Sequence, residues 1–432
     1  MRRFLLAVFL AAPAAAPAAQ APDWELLQTS PFHGYRFEDG SFIDPSTGFI
    51  VDPQGRTHRT TDAGATWQLR SEVGSYLRSA AFTSAEHGWV GVLFSGTRLY
   101  ETSDAGATMV DVTPRIAPAI GGGICGLWAV NADTAFGVGQ YSGPAYVIRT
   151  VDGGATWQST DLSAIAGSLV DVFFFDSQRG LAVGGTAGAD TGGRVLVLAT
   201  EDGGATWTPR FTGSPPPTGQ GEWAWKISFP TPLVGYVSVE RTFGSTGKVL
   251  KTTDGGLTWI EIAVPQAGNM QGIGFLTADR GWISGRGDAL VTVDGGVTWA
   301  NTSSIDEQVN RFAFFGDSLG YAMGQRIYRL DARTVTSAPT PDAPALALTV
   351  MPNPSSGPVT VSYHLPRAGD ATLAVFDALG RRVAVLASGA HAAGVHAATW
   401  AAADAGRSAA AVYVVRLETA GRVVARTFAV AR

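Results

Sequence analysis

The sequence contains one cysteine, three lysines and no long apolar run after its first residues. The single cysteine, Cys125, excludes an internal disulfide framework, and its apolar, glycine-rich surroundings predict a buried residue and not a reactive thiol. No later segment reaches the roughly 20 apolar residues that span a bilayer, so the sequence predicts no transmembrane segment. The formal net charge is −5 and no stripe of alternating basic and aromatic residues occurs, which argues against a nucleic-acid partner.

The dominant feature of the chain is a phrase of eight residues that occurs six times. Its copies run from TTDAGATW to TVDGGVTW and occupy 60–67, 102–109, 150–157, 200–207, 252–259 and 292–299. Their aspartates stand 40 to 52 residues apart, a period typical of the four-stranded blades of a β-propeller.

Each phrase has the chemistry of a hairpin turn between two apolar strands. Its carboxylate can accept backbone N–H groups shortly after it, and the glycine two residues onward tolerates a positive φ. A tryptophan ends five copies and Met109 ends the other, which predicts a buried side chain at one place in each blade. Because one role recurs in every turn, we expect structural aspartates, with an ion site as the alternative. These are Asp62, Asp104, Asp152, Asp202, Asp254 and Asp294.

The phrase S/T-x-D-x-G-x-T-W resembles the Asp-box, or bacterial neuraminidase repeat. In that family the box joins the third and fourth strands of a blade, on the face opposite the active or binding site. The resemblance therefore implies that the boxes are scaffold and that recognition occurs on the other face.

A second phrase, an apolar strand followed by Gly-aromatic-x-x-Gly or a close variant, occurs seven times. The seventh unit, 311–331, stops where its box would begin, and residues 24–28 match the strand after the first box. We therefore predict an all-β, seven-bladed propeller over 22–335, closed by an N-terminal strand lying beside 326–331. This pattern resembles the photosystem II assembly and stability factor propellers, which implies a protein-binding scaffold.

The ends of the chain predict export. Arg2, Arg3 and the apolar run that follows them resemble a signal peptide over 1–21. Residues 336–345 read as a proline-rich linker. Strand-like runs separated by turns then predict a small Ig-like β-sandwich over 346–432.

The C-terminal segment resembles the sorting domain of type IX secretion. The resemblance rests on Pro352-Asn353-Pro354, the hairpin 376–383, Gly394-Val395-His396 and Val412-Tyr413. It implies two partners, the outer-membrane secretion machinery and a sortase-like peptidase, and a final location outside the cell or on its outer surface. Residues 22–338 carry 31 acidic and 21 basic side chains, whereas residues 339–432 carry 5 acidic and 8 basic ones. This difference in charge fits separate roles for the two segments.

A secreted glycoside hydrolase of the sialidase or xyloglucanase type is the alternative function, because Asp-box propellers include both. The Arg-Ile-Pro phrase that sialidases carry before the first box is missing from 32–44. Glycosidases need two carboxylates that face one groove. By position alone the candidates are Asp190, Glu222, Glu240 and Asp288, with Trp223 and Trp225 able to stack on a sugar. No motif specifies a catalytic residue, a cofactor or a metal.

A cation recurs at the start of the strand that leads into a box, and the seventh unit, which lacks a box, has one at the equivalent position. These cations predict a broken basic ring on the face opposite the boxes, although such positions are also polar in any propeller. They are Arg56, Arg98, Arg194, Lys248, Arg286 and Arg326, with Tyr146 in the third blade. The longest loops, 184–194, 208–223 and 240–248, belong to blades four and five, where we expect the ligand. The sequence thus favours a non-catalytic module that binds a protein or an anionic glycan, and a surface protein without a specific ligand is a third possibility.

Overall fold

The computed structural model of the chain divides into two compact units, Met1–Val335 and Thr336–Arg432. The predicted signal peptide and the linker 336–345 lie outside the residues that the structure describes. The first unit is a seven-bladed β-propeller and the second is a small Ig-like sandwich, so the predicted all-β fold class is confirmed. The described residues are 24–187, 192–217, 220–241, 244, 246–265, 269–285, 289–302, 304–305, 308–332, 347–351, 355, 357–365, 368–377, 380–392, 394–401, 411–419 and 422–430.

The propeller strands are short and mostly buried on both sides. The N-terminal strand and the strands of the first three blades are β1 (Glu25–Leu26), β2 (Asp39–Phe42), β3 (Gly48–Val51), β4 (Arg56–Thr60), β5 (Gln68–Glu72), β6 (Leu77–Phe82), β7 (Gly88–Val92), β8 (Leu99–Thr102), β9 (Val110–Asp111), β10 (Ile116–Ala117), β11 (Gly126–Ala129), β12 (Ala135–Gly139), β13 (Tyr146–Thr150) and β14 (Trp157–Asp161). The strands of the last four blades are β15 (Ser168–Phe174), β16 (Gly180–Gly185), β17 (Val195–Thr200), β18 (Thr208–Thr212), β19 (Glu222–Ser228), β20 (Gly235–Arg241), β21 (Gly247–Thr252), β22 (Ile260–Val264), β23 (Gly272–Phe275), β24 (Gly281–Ser284), β25 (Ala289–Thr292), β26 (Ala300–Asn301), β27 (Arg311–Phe315), β28 (Leu319–Met323) and β29 (Ile327–Asp331).

The blades form a closed ring. Six sheets follow chain order from the axis outward, and they are β2–β5, β6–β9, β11–β14, β15–β18, β19–β22 and β23–β26. The innermost strands β2, β6, β11, β15, β19, β23 and β27 contact one another in sequence, and β27 contacts β2. The third blade has an additional outer strand, β10, which follows a 3₁₀ turn at Thr113–Arg115 and pairs parallel with β14.

The seventh blade combines the two ends of the propeller. Strand β1 pairs antiparallel with β29, so that Glu25 lies opposite Arg329. Trp24 is buried beside this strand and packs edge-on against Trp282, with 5.2 Å between ring centroids. The predicted closure by the N-terminal strand is therefore confirmed, and it covers an edge that would otherwise expose unpaired backbone groups.

Aromatic side chains of the second repeated phrase join neighbouring blades. Phe49 of the second strand stacks on Phe82 of the next blade at 3.6 Å between centroids. The pairs Phe136–Phe174, Tyr236–Phe275 and Phe42–Tyr321 repeat this contact at 3.5, 3.4 and 4.1 Å. Stacking between fixed positions of successive units thus joins four pairs of neighbouring blades.

The six repeated phrases form one kind of turn, which we call the aspartate turn. In the fifth copy, the Gly256 N–H donates to Thr252 Oγ1 at 2.9 Å, and Thr252 Oγ1 donates to Asp254 Oδ1 at 2.8 Å. The backbone N–H of Thr258 donates to Asp254 Oδ1 at 2.9 Å, and its hydroxyl donates to Oδ2 at 2.5 Å. The same backbone contacts recur in the other five copies. The carboxylate therefore holds its own turn together, as a structural residue does.

The backbone of the turn has two residues with positive φ. The predicted one, two residues after the aspartate, has φ between 81 and 90° in all six copies. The residue directly after the aspartate also has positive φ, and it is alanine at Ala63 and Ala105, with φ of 59 and 63°. The sequence did not indicate this second position, because alanine rarely adopts that conformation.

The second unit is a sandwich of two antiparallel sheets. Its strands are β30 (Ala347–Met351), β31 (Val359–Leu365), β32 (Gly369–Asp377), β33 (Arg382–His391), β34 (Gly394–Trp400), β35 (Ala411–Thr419) and β36 (Arg422–Val430). One sheet has the order β30-β31-β34 and the other β33-β32-β35-β36. Trp400, Tyr413 and Phe428 pack together in the core between the sheets. The phrase 352–354 lies outside the described residues.

Candidate ligand-binding face

The antiparallel strand order divides the propeller loops between two faces. The aspartate turns join third and fourth strands, and they share the turn face with the turns that join first and second strands. Turns that join second and third strands, and the connections between blades, lie on the opposite face, which we call the far face. The described parts of the three long loops, 184–194, 208–223 and 240–248, reach the far face.

The five described cations of the predicted ring stand at the start of third strands, and therefore at the far face. They are Arg56, Arg98, Arg194, Lys248 and Arg326. Arg286 and Asp288 lie outside the described residues, as does Asp190. Tyr146 occupies the equivalent position in the third blade, and its hydroxyl donates to the Gly123 carbonyl at 2.6 Å.

Two of these cations are neutralised within their own blades. Arg56 Nε lies 2.8 Å from Asp52 Oδ2. Lys248 Nζ lies 2.8 Å from Glu222 and 3.1 Å from Glu261. A cation held this way contributes little to the field that an approaching ligand meets.

The other three cations are more accessible. Arg194 and Arg326 are exposed, and Arg98 is half-buried with its Nη2 3.5 Å from the Gly121 carbonyl. The Arg326 guanidinium lies 5.1 Å from the ring centroid of Phe32, which is itself 54% exposed. An exposed arginine beside an exposed aromatic ring is a common arrangement in protein recognition surfaces.

The two tryptophans proposed to stack on a ligand lie inside the propeller. Trp223 and Trp225 are each 6% exposed and pack with Val170. The indole N–H of Trp225 donates to Asn310 Oδ1 at 2.9 Å, and the Arg78 guanidinium lies 5.2 Å from its ring centroid. Neither indole ring therefore presents a face to solvent on which a ligand could stack.

The two described carboxylates proposed for glycoside hydrolysis are buried and engaged. Glu222 lies 2.9 Å from Arg241 Nε and 2.8 Å from Lys248 Nζ. Both oxygens of Glu240 accept from Gln271 Nε2 at 2.9 Å. An acid–base pair requires carboxyl groups that reach the substrate, and these two side chains are committed to protein partners.

A group of mostly charged side chains that sequence reasoning missed fills the centre of the propeller, together with one tryptophan and one asparagine. They come from the innermost strands, or the residues just before them, of blades one, two, four, five and seven. We call them the axial cluster, which comprises Glu38, Asp39, Arg78, Asp171, Trp225, Lys226, Asn310 and Arg311.

Contacts within the axial cluster cross the axis. Arg311 of blade seven binds Asp39 of blade one through Nε and Asp171 of blade four through Nη2, at 2.6 and 3.0 Å. Burial opposes ionisation of Asp171, but the charges of Arg311 and then Lys226 hold its pKa below the usual value. Arg311 therefore links three blades through charged hydrogen bonds to two carboxylates.

A second carboxylate, Glu38, joins the first and second blades. It accepts from Tyr76 Oη at 2.8 Å and lies 3.3 Å from Arg78 Nη1 and 3.1 Å from Arg36 Nε. Burial acts to raise the pKa of Glu38, and the positive charges of Arg78 and Arg36 outweigh it, so the pKa is lowered. Ion pairs thus connect neighbouring blades at the centre of the ring.

The sequence does contain a signal for the axial cluster. A charged residue lies in the first strand of five units, three or four residues before an aromatic residue that is in the strand or directly after it, although the strand of the fifth blade also contains Glu222. These charged residues are Asp39, Arg78, Asp171, Lys226 and Arg311. Their signs permit pairing, but the pairing itself depends on which blades face each other across the axis.

Comparisons with known proteins establish the fold. No protein-family model matches the chain, and no curated protein matches it in sequence. Among solved structures, one described as YCF48 bound to D1 peptide matches with a TM-score of 0.54 at 21% identity, covering 73% of this chain and 99% of that one. The GH74 xyloglucanase of Xanthomonas campestris matches with a TM-score of 0.54 at 14% identity, covering 80% of this chain and 60% of that one.

A third structure comes from a bacterial surface. PorZ, a surface component of the type IX secretion system of Porphyromonas gingivalis, matches with a TM-score of 0.51 at 15% identity, covering 94% of this chain and 60% of that one. These proteins include binding proteins and hydrolases, so the likeness shows the propeller fold and no activity.

Proposed function

We propose that the chain is an exported, non-catalytic binding module whose far face binds a protein segment or an anionic glycan. The observation that supports this is the far face itself, where Arg194 and Arg326 are exposed while Glu222 and Glu240 are buried and engaged. The resemblance of the six turns to Asp-boxes implies that the turn face is scaffold. The solved propeller with a bound D1 peptide is a precedent for peptide binding by this architecture.

Binding is favoured over glycoside hydrolysis by the state of the candidate carboxylates. A hydrolase of this fold would present two carboxyl groups to one groove. Glu222 instead neutralises two cations, and Glu240 accepts from an amide. Hydrolysis of xyloglucan or a sialoside by the purified chain, abolished by Glu222→Gln or Glu240→Gln, would establish the alternative.

The binding proposal is tested by charge reversal on the far face. The full mature chain is immobilised to capture ligands from a culture supernatant, and the captured species are then titrated against the variant R98E/R194E/R326E. We expect affinity at low salt to fall roughly tenfold or more, with a shallower salt dependence. Equal affinity of the variant and the wild type would show that the ligand binds elsewhere.

For the second unit we propose a sorting function in type IX secretion. The support is the sequence resemblance of 346–432 to that sorting domain, together with the separate sandwich that these residues form. Deletion of 346–432 is expected to leave the propeller in the periplasm. Unchanged appearance in the medium or on the cell surface would remove the assignment while leaving the binding proposal intact.

A further inference from the structure

Two histidines of the second unit lie side by side at the junction of its sheets. The ring centroids of His391 and His396 are 5.4 Å apart. His391 ends β33 and His396 lies in β34, which belong to different sheets of the sandwich. Tyr363 packs on the pair, with its ring centroid 5.2 Å from that of His396 and 6.1 Å from that of His391. The fold therefore holds both imidazoles in one place.

The contact of His396 with the backbone determines which of its nitrogens can bind a ligand. His396 Nε2 lies 2.8 Å from the carbonyl oxygen of Ala392. A carbonyl oxygen only accepts hydrogen bonds, so Nε2 carries the proton and Nδ1 keeps its lone pair. Histidines that bind metals commonly donate their other N–H to a carbonyl in this way, which fixes the tautomer and the ring orientation.

We propose that His391 and His396 together bind a divalent transition-metal ion of the copper and zinc class. Imidazole nitrogen suits these ions, whereas Mg²⁺ and Ca²⁺ prefer oxygen ligands. Both histidines are half-buried, so neither is sealed from solvent. Within the described residues no third His, Cys, Asp or Glu joins the pair, so water or a group from solution completes the coordination.

Tyr363 supports the site without binding the ion. Its side chain is 4% exposed and belongs to the core between the sheets. Its face stacks on His396 at an interplanar angle of 22°. This contact restricts the rotation of the imidazole and lowers the entropy lost when an ion binds.

The first unit provides an internal comparison. His33 and His58 are also stacked, with 5.5 Å between ring centroids, but His58 is only 4% exposed. An ion could not reach His58 without displacing the side chains around it. His33→Gln therefore serves as the matched control, because it removes an imidazole from a similar pair that we expect not to bind metal.

The test is a metal titration of the tag-free, full mature chain with CuCl₂, ZnCl₂ and MgCl₂. We expect one Cu²⁺ per chain, weaker binding of Zn²⁺ and no competition from Mg²⁺. His391→Gln and His396→Gln should each lower Cu²⁺ affinity roughly tenfold or more, whereas His33→Gln should not. The electron paramagnetic resonance spectrum of bound Cu²⁺ should show nitrogen coupling that each of the first two variants reduces.

Two results would overturn the proposal. One is Cu²⁺ affinity in folded His391→Gln, checked by circular dichroism, that equals the wild-type affinity. The other is loss of binding in His33→Gln, which would place the ion in the first unit. His391 lies at the end of a strand, so its variant keeps the test decisive even where His396→Gln does not fold.

Discussion

At the scale of single residues, each aspartate turn depends on a buried threonine as much as on its aspartate. Thr252 is 1% exposed, and its hydroxyl accepts from Gly256 N–H and donates to the Asp254 carboxylate. The aspartate was predictable from the phrase, whereas the central role of the threonine hydroxyl emerged only from the hydrogen bonds. The shape that the six turns share is thus held by two side chains that act together.

We expect Thr252→Val to destabilise the propeller by about 1–3 kcal/mol, because it leaves the buried Gly256 N–H without an acceptor. The neighbouring Thr253 is exposed, so Thr253→Val is the matched control and should change little. Denaturant unfolding followed by tryptophan fluorescence measures both. Equal stability of the two variants would show that the hydroxyl does not hold the turn.

The turn carboxylates also predict a response to acid. Side-chain and backbone hydrogen bonds from Thr156 and Thr206 lower the pKa of Asp152 and Asp202 to about 2, from the ordinary 3.8. A carboxylate whose pKa is depressed by folding stabilises the protein above its unfolded pKa, and that stability is lost as the pH falls. The melting temperature should therefore drop between about pH 4 and pH 2, and T156V/T206V should flatten this drop in calorimetry. If the melting temperature of T156V/T206V fell with pH as steeply as that of the wild type, the threonine hydroxyls would not be what lowers the two pKa values.

At the scale of elements, closure of the ring rests on a strand of only two residues. Strand β1 pairs with β29 through only two residue pairs, and Trp24, directly before it, is buried among aromatic side chains. The match between 24–28 and the outer strand of the first blade made this closure predictable from the sequence. The cluster of Trp24 with Trp282, Phe312 and Phe314 was not, because it depends on how blades six and seven pack.

We expect Trp24→Ala to destabilise the propeller by about 3–5 kcal/mol, since it empties a site within this aromatic cluster. Glu25→Ala, at the exposed neighbouring position, should have little effect. Equilibrium unfolding compares the two variants. A Trp24→Ala protein as stable as Glu25→Ala would mean that the N-terminal strand does not contribute to closure.

At the scale of the whole molecule, the axial cluster joins blades that are distant in the sequence. The repeat period and the two phrases were sufficient to predict seven blades, because each unit carries its own strand and turn signals. Contacts such as Arg311 with Asp171 join residues 140 positions apart, and no local pattern encodes them. The same limit applies to the basic ring, where the neutralisation of Arg56 and Lys248 depends on side-chain geometry.

The axial cluster predicts opposite effects for two cations. Arg311→Met leaves Asp39 and Asp171 buried without their guanidinium partner and should cost about 3–5 kcal/mol. Lys226 lies farther from Asp171, at 3.8 Å, and its pKa is lowered to about 8 by burial and by the charge of Arg311. Lys226→Met should therefore be neutral or stabilising at pH 7. Unfolding free energies that fall equally in both variants would contradict this ranking.

The central claim is that the far face binds the ligand and the turn face is scaffold. Two double variants with the same change in net charge test it, R194A/R326A on the far face and L257E/V297E on the turn face, where Leu257 and Val297 are 60 and 76% exposed. Binding of the captured ligand is measured for both variants across a range of salt concentrations. We expect R194A/R326A to lower the affinity several-fold at low salt, with L257E/V297E close to the wild type. The reverse order, or equal loss in both, would contradict the assignment of the faces.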